Sequence, residues 1–251
     1  MAGFADSSVI LLAGLIAGMM NAAAGGGSFV TVPALIFVGV PSVAANMSST
    51  VALYPGSIAS AWVFRGRLRT VLAIPIWALF LSTLAGGFGG ALLLLFTPNS
   101  AFDRIVPWLL LAGSLAFAFA PAIGARLQRH FRPNAAFLLA VQFVLGIYGG
   151  YFGGAVGILM MAVWSVLGLG EIQSMNGLKV VLVAAANTVA VVCFAVAGQV
   201  VWRVALEMMA AAAAGGYLGA RLSLRLRSSQ IRAAICVLNF LIAAVFLWTR
   251  R

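Results

Sequence analysis

Charge is what this chain has least of. Only 8% of its 251 residues are charged, against about 25% in an ordinary soluble domain. Acids are the scarcest: Asp6, Asp103, Glu171 and Glu207 are all there are, and none sits centrally in an apolar run. A cation pathway through a membrane wants intramembrane carboxylates, and a metal site wants histidine, cysteine or acid ligands. The single histidine, His130, lies in an arginine cluster, and Cys193 and Cys236 lie apart inside apolar stretches with no CxxC spacing. No metal and no cofactor is therefore expected. HExxH, GxSxG and P-loop patterns are missing too, which removes ATP hydrolysis and the usual hydrolytic chemistry, so an enzyme is not expected.

What remains is hydrophobic, at 64% of residues. Several nearly uncharged runs reach about 18 residues or more, enough to cross about 30 Å of hydrocarbon. They do not alternate as the strands of a membrane barrel would. The expected fold is an all-α polytopic membrane protein, a single transmembrane domain over 1–251 with the lipid bilayer as its solvent. The formal charge of +11 would suit nucleic acid, but the arginines sit in short loops between apolar spans, so nucleic acid is not an expected partner. Apolar 9–20 followed by Ala22-Ala23-Ala24 imitates a signal peptide, yet it lacks a basic start and the pattern recurs internally, so it reads as mature structure. No signal of oligomeric state is present.

A glycine-rich break occurs twice. Residues 14–27 read GLIAGMMNAAAGGG and residues 146–157 read GIYGGYFGGAVG; Gly14, Gly18 and Gly25 pair with Gly146, Gly150 and Gly157 at one offset. Apolar segments fall near 8–23, 28–38, 43–64, 70–97, 104–123, 135–150, 155–168, 173–198, 201–222 and 230–249. The segment 28–38 would be roughly 17 Å long as a helix, too short to span, so 8–23 with 28–38 is expected to form a hairpin or broken helix. The pair 135–150 and 155–168 is its counterpart. If each hairpin returns to its own side, Arg65, Arg67, Arg69, Arg126, Arg129, Arg132, Arg221, Arg225, Arg227 and Arg232 share one face, and only Arg104, Arg203, Arg250 and Arg251 the other. The positive-inside rule makes the first face cytoplasmic and puts both termini outside. The halves are then inverted: repeat one about 8–97, repeat two about 135–222, a linking helix about 104–123 and a C-terminal helix about 230–249. Within them Ala85–Ala91 aligns with Ala214–Ala220, small residues at helical spacing whose role is close helix packing.

Matched interruptions in the two halves of a membrane protein point to a transport site. A helix starting near Ser28 aims its free N–H groups back at Gly25, Gly26 and Gly27, and that end suits an anion. Gly153 and Gly157 frame the second break, which is expected to act alike from the opposite side; Asn21 and Ser28 can add side-chain hydrogen bonds. Tight packing alone is the competing explanation of these glycines. Lys179, the only lysine, can supply a fixed positive charge, or it can snorkel to the surface near Glu171 and Gln173. Asn46, Ser48, Ser49 and Thr50 match Asn176-Gly177-Leu178-Lys179 across the repeat; capping the helix they open explains them equally well. Asn187, eleven residues after Asn176, lies near the same helical face; joining two helices is its simpler role.

At these residues the chain resembles the sulfite exporter TauE/SafE family. The likeness runs over essentially the whole chain. It is carried by the glycine-rich opening of each half, Asn176-Gly177-Leu178-Lys179, Ala185-Ala186-Asn187 and Gly198-Gln199-Val200-Val201-Trp202; the second break departs from a full triple glycine. The resemblance implies a bacterial inner-membrane permease of sulfite, organosulfonates or other small anions. It also implies Gly25, Gly26, Gly27, Asn46, Ser49, Thr50, Asn176, Lys179 and Asn187 as pathway residues. The expected function is a secondary transporter that exports a small anionic substrate by alternating access, with a channel-like pore or a non-transporting scaffold as alternatives.

Overall fold

A computed structural model describes residues 2–23, 26–64, 74–127, 134–154, 156–167 and 172–223. Among the described residues there are nine helices and no strand: α1 Ala2–Ala23, α2 Ser28–Phe37, α3 Ser42–Phe64, α4 Ile76–Leu95, α5 Asn99–Leu127, α6 Ala135–Tyr151, α7 Val156–Val166, α8 Ile172–Val196 and α9 Trp202–Ser223. Ile76–Leu95 and Gly177–Val196 are long and apolar enough to cross a membrane. The expected C-terminal helix at 230–249 and most of the arginines that set the sidedness lie outside the described residues.

Both short helices follow a glycine in the left-handed region, Gly26 at φ 90° before α2 and Gly153 at φ 71° before α7. A side chain at either position would strain the backbone, which is why the apolar runs break there. The α2 helix ends at Gly39, φ 89°, where Gly39 N–H reaches the Ile36 carbonyl and Val40 N–H the Leu35 carbonyl, each at 3.0 Å. This paired closure satisfies two carbonyls that would otherwise lack donors. The N-terminus of α3 is capped from afar: Asn99, the first residue of α5, accepts from Val43 N–H at 3.0 Å. The polar run Asn46–Thr50 consequently sits inside α3, one turn past its start, and does not cap it.

The helices pack in exchanged pairs. α1 lies on α9 and α4 on α6; α3 crosses α8; α4 also meets α8 and α3 meets α9; α2 packs on α1 and α3, and α7 on α6 and α8. Relabelling α1 to α4 as α6 to α9, and the reverse, returns the same set of contacts. α5 stands outside that exchange and packs on α7 and α3.

Glycines make the two longest contacts possible. A Cβ on Gly18 would run into the Ala212 carbonyl, and one on Gly215 into the Leu15 carbonyl. In the other half, Gly150 meets the Gly87 carbonyl and Gly90 the Ile147 carbonyl in the same manner. The small-residue blocks therefore do what their spacing predicts, letting helix backbones touch. Gly14 and Gly18, with Gly146 and Gly150, belong to this packing and not to the breaks themselves.

Candidate functional site

The two breaks meet. A Cβ on Gly154 would stand 3.2 Å from Ser28 Cβ, and one on Gly26 3.7 Å from Ile158 Cδ1, so the start of α2 faces the start of α7. Phe29 and Phe152 pack beside them with ring centroids 6.3 Å apart, and Tyr148 meets Phe152 edge-on. These aromatics close one wall of the junction.

At the first break, Asn21 Oδ1 accepts from Gly27 N–H at 2.8 Å. One of the orphan donors at the start of α2 is thereby satisfied from α1. Gly27 itself has no room for a side chain, because a Cβ would lie 2.7 Å from the Ala17 carbonyl oxygen. Thr31 Oγ1 is hydrogen-bonded to Ser49 Oγ and donates to the Gly27 carbonyl, which ties α3 to α2. Ser28 is buried at the head of α2, and Gly25 lies outside the described residues.

At the second break, the three heavy atoms nearest a Cβ on Gly153 are all oxygens: Thr50 Oγ1 at 3.3 Å, the Gly149 carbonyl at 3.6 Å and Asn187 Oδ1 at 4.0 Å. Asn46 Nδ2 donates to the Tyr151 carbonyl at 2.9 Å, joining α3 to the end of α6. Thr50 Oγ1 donates to the Asn46 carbonyl within α3. Asn187 Nδ2 donates to Ser57 Oγ across the α3–α8 crossing at 3.4 Å. Next to it Thr188 Oγ1 lies 3.0 Å from the Tyr54 hydroxyl. Asn46 Oδ1, Asn187 Oδ1 and the Tyr148 hydroxyl are buried with no hydrogen-bond partner among the described residues.

Lys179 lays its stem against the missing side chain of Gly157, with Cδ 3.3 Å and Cε 3.6 Å from where a Cβ would be. The stem is thus packed between α7 and α8 rather than extended along α8. Asn176 lies in the first turns of α8, but its side chain is outside the described residues. Of the residues singled out in the sequence, Gly26, Gly27, Ser28, Asn46, Thr50, Gly153, Gly157, Lys179 and Asn187 border this junction. Ser49 is drawn to Thr31 instead. Ser48 is structural: its Oγ accepts from Val201 N–H at 2.9 Å and holds the turn into α9.

Sequence reasoning missed a second buried polar group. Gln142 donates to Thr83 Oγ1 at 2.8 Å and accepts from Trp164 Nε1 at 3.2 Å, binding α6 to α4 and α7 behind the second break. A lone amide in the apolar segment 135–150 was its only trace. No group of three or more metal-type ligands occurs among the described residues.

A model of the sulfite exporter TauE/SafE family matches residues 10–246. A Haemophilus influenzae protein named "Probable membrane transporter protein" is 29% identical over 238 residues, covering 94% of this chain and 92% of that one. "Probable membrane transporter protein YfcA" of Escherichia coli is 25% identical over 240 residues, covering 96% and 89%. "Probable membrane transporter protein ORF9" of a Sinorhizobium species is 27% identical over 238 residues, covering 93% and 89%. No solved structure matches the chain.

Proposed function

The chain belongs to the sulfite exporter TauE/SafE family, and on that premise we propose that it exports small oxyanions, sulfite or organosulfonates, across a bacterial inner membrane. It is a membrane transporter, as its relatives' names have it. The observation that carries the finer reading is the meeting of the two glycine breaks at Ser28 and Gly154, beside Lys179 on Gly157. Broken helices facing one another at a repeat interface form the kind of site around which two halves rock. The exchange of helix pairings between α1–α4 and α6–α9 supports two repeats. The arginine asymmetry of the sequence supports their inversion, with both termini outside.

The sign of the ligand follows from the charges. Among the atoms nearest the described glycines of the junction, the one charged side chain is that of Lys179. An anion neutralises that lysine and draws on the partial positive charge at the start of α2. The inside-negative potential favours exit of an anion by about 2.3 kcal/mol per charge per 100 mV, so export needs no coupling ion to be driven.

The test is flux from liposomes loaded with sulfite, sulfate, sulfonates or carboxylates under an applied potential. Saturable outward flux with counterflow is expected. If no anion moved, the reading would fail; unsaturable flux would make the protein a pore.

A further inference from the structure

The helices fall into two sets, and the sets are not the sequence halves. α1, α2 and α3 pack together and take α9, from the other half, against α1 and α3. α6, α7 and α8 pack together and take α4 against α6 and α8. Each half keeps three helices and lends its fourth. α5 touches both sets, through α7 and through Asn99 at the start of α3.

Each set has an apolar core of its own. Ile10, Leu35, Ala52 and Met208 share one cluster, a residue from each of α1, α2, α3 and α9. Leu79, Leu145, Met160 and Leu182 share another, from α4, α6, α7 and α8. No buried member of either cluster comes from the other set. Hydrogen bonds follow the same division. In the first set Asn21 holds Gly27, Thr31 meets Ser49 and Ser48 holds Val201. In the second, Ser82 Oγ donates to the Leu139 carbonyl at 2.8 Å, and Gln142 joins Thr83 and Trp164.

The joint between the sets is made differently. It consists of the α3–α8 crossing and the meeting of the two breaks, where Phe29 and Met47 of the first set share a cluster with Phe152 and Phe194. Tyr54 meets Thr188 there at 3.0 Å, Asn46 Nδ2 reaches the Tyr151 carbonyl, and Asn187 Nδ2 reaches Ser57 Oγ at only 3.4 Å. Oδ1 of both asparagines is buried with no partner among the described residues. A buried acceptor without a donor is costly, so this joint is bonded less completely than the sets it joins. The chain passes from α8 in the second set to α9 in the first through Gly198, exposed, at φ 66° and with nothing within 4 Å of a Cβ. A glycine in open space absorbs a change of backbone angle without disturbing any packing.

Close-packed cores move as units, and displacement is taken up at the interfaces between them. Resting on the transport reading, we propose that the two bodies that move in transport are α1–α3 with α9 and α6–α8 with α4, shifting against each other at the α3–α8 crossing. The sequence halves, 8–97 and 135–222, do not move as units, because each is divided between the bodies.

A disulfide that joins the halves inside one body tests this. Gly87→Cys with Ala186→Cys, in a chain whose Cys193 and Cys236 are replaced by serine, places two Cβ positions 3.5 Å apart between α4 and α8, close enough to link. In proteoliposomes loaded with sulfite, sulfate, sulfonates or carboxylates, the oxidised double variant should move its anion at the rate of the reduced one. A stop on oxidation, released by reduction, would overturn the inference and leave the halves as the moving units. Nitroxide pairs at exposed positions decide the same question where that link does not form. Leu12 with Leu206 and Phe88 with Val144 are paired within bodies but across halves, and their electron paramagnetic resonance distances should hold when the transported anion is added. Leu12 with Phe88 and Val144 with Leu206 are paired within halves but across bodies, and theirs should shift. The reverse pattern, or no shift in any pair, would overturn the inference while measured flux kept the transporter reading. If none of these anions moved, that reading would fall, and this inference with it.

Discussion

The two breaks share a sequence pattern but not their neighbours. At the first, Asn21 occupies Gly27 N–H, Gly27 is sealed against α1, and the N–H groups of Phe29 and Val30 close back onto the Gly26 and Gly27 carbonyls. At the second, Gly153 looks onto three oxygens, and the following helix lies beside a lysine stem. The same glycine break thus occurs twice with different neighbours.

In packing, by contrast, the halves remain alike, and the largest effects should fall equally on both. Gly18→Val and Gly150→Val each force a side chain into a facing backbone carbonyl. Both should cost at least the 1–3 kcal/mol or so typical of overpacking and abolish monodisperse protein in detergent. Gly89→Ala, with nothing within 4 Å of its Cβ, should leave the melting temperature unchanged or raised. Loss in one half only would break the likeness.

Next in size is the charge that only the second half offers. Lys179→Gln, which keeps most of the packed stem, should lower kcat/KM for anion export by about tenfold or more, the loss of one charge-assisted contact, with little change in melting temperature. Asn21→Ala probes the first break. It removes the bond to Gly27 N–H and should cost about 1 kcal/mol, as lost helix caps do, read as a drop of about 2–4 °C in Tm. Smallest of all is Glu207→Gln. Its partner Arg203 is largely exposed, and the pair spans one helical turn away from both breaks, so stability should change by no more than about 0.5 kcal/mol.

Much of this architecture could be read from the chain alone, because glycine leaves a sharp mark. Only a left-handed residue or a backbone contact demands it, and the offset between the halves survives in Gly14, Gly18, Gly146 and Gly150. Their role was less legible than their presence. They resemble part of the breaks in sequence, yet they serve the α1–α9 and α4–α6 contacts, whose partners lie far along the chain. The polar run at Asn46–Thr50 was visible as a cluster, but its division of labour was not. Asn46 serves Tyr151, Ser48 serves Val201 and Ser49 serves Thr31, each settled by helices that meet only in the folded protein. The Gln142–Thr83–Trp164 group was silent for the same reason: a single amide in an apolar segment says nothing of which helix it will face.

The central claim is that the two breaks form one site whose movement is the transport step. Ser28→Cys with Gly154→Cys, in a chain whose Cys193 and Cys236 are replaced by serine, tests it directly. The 3.2 Å between their Cβ positions is close to the separation a disulfide spans. Mild oxidation should link the two cysteines and halt the anion flux that the same double variant shows when reduced, and reduction should restore it. Two cysteines that failed to link, or a linked protein that transported at the full rate, would contradict the account.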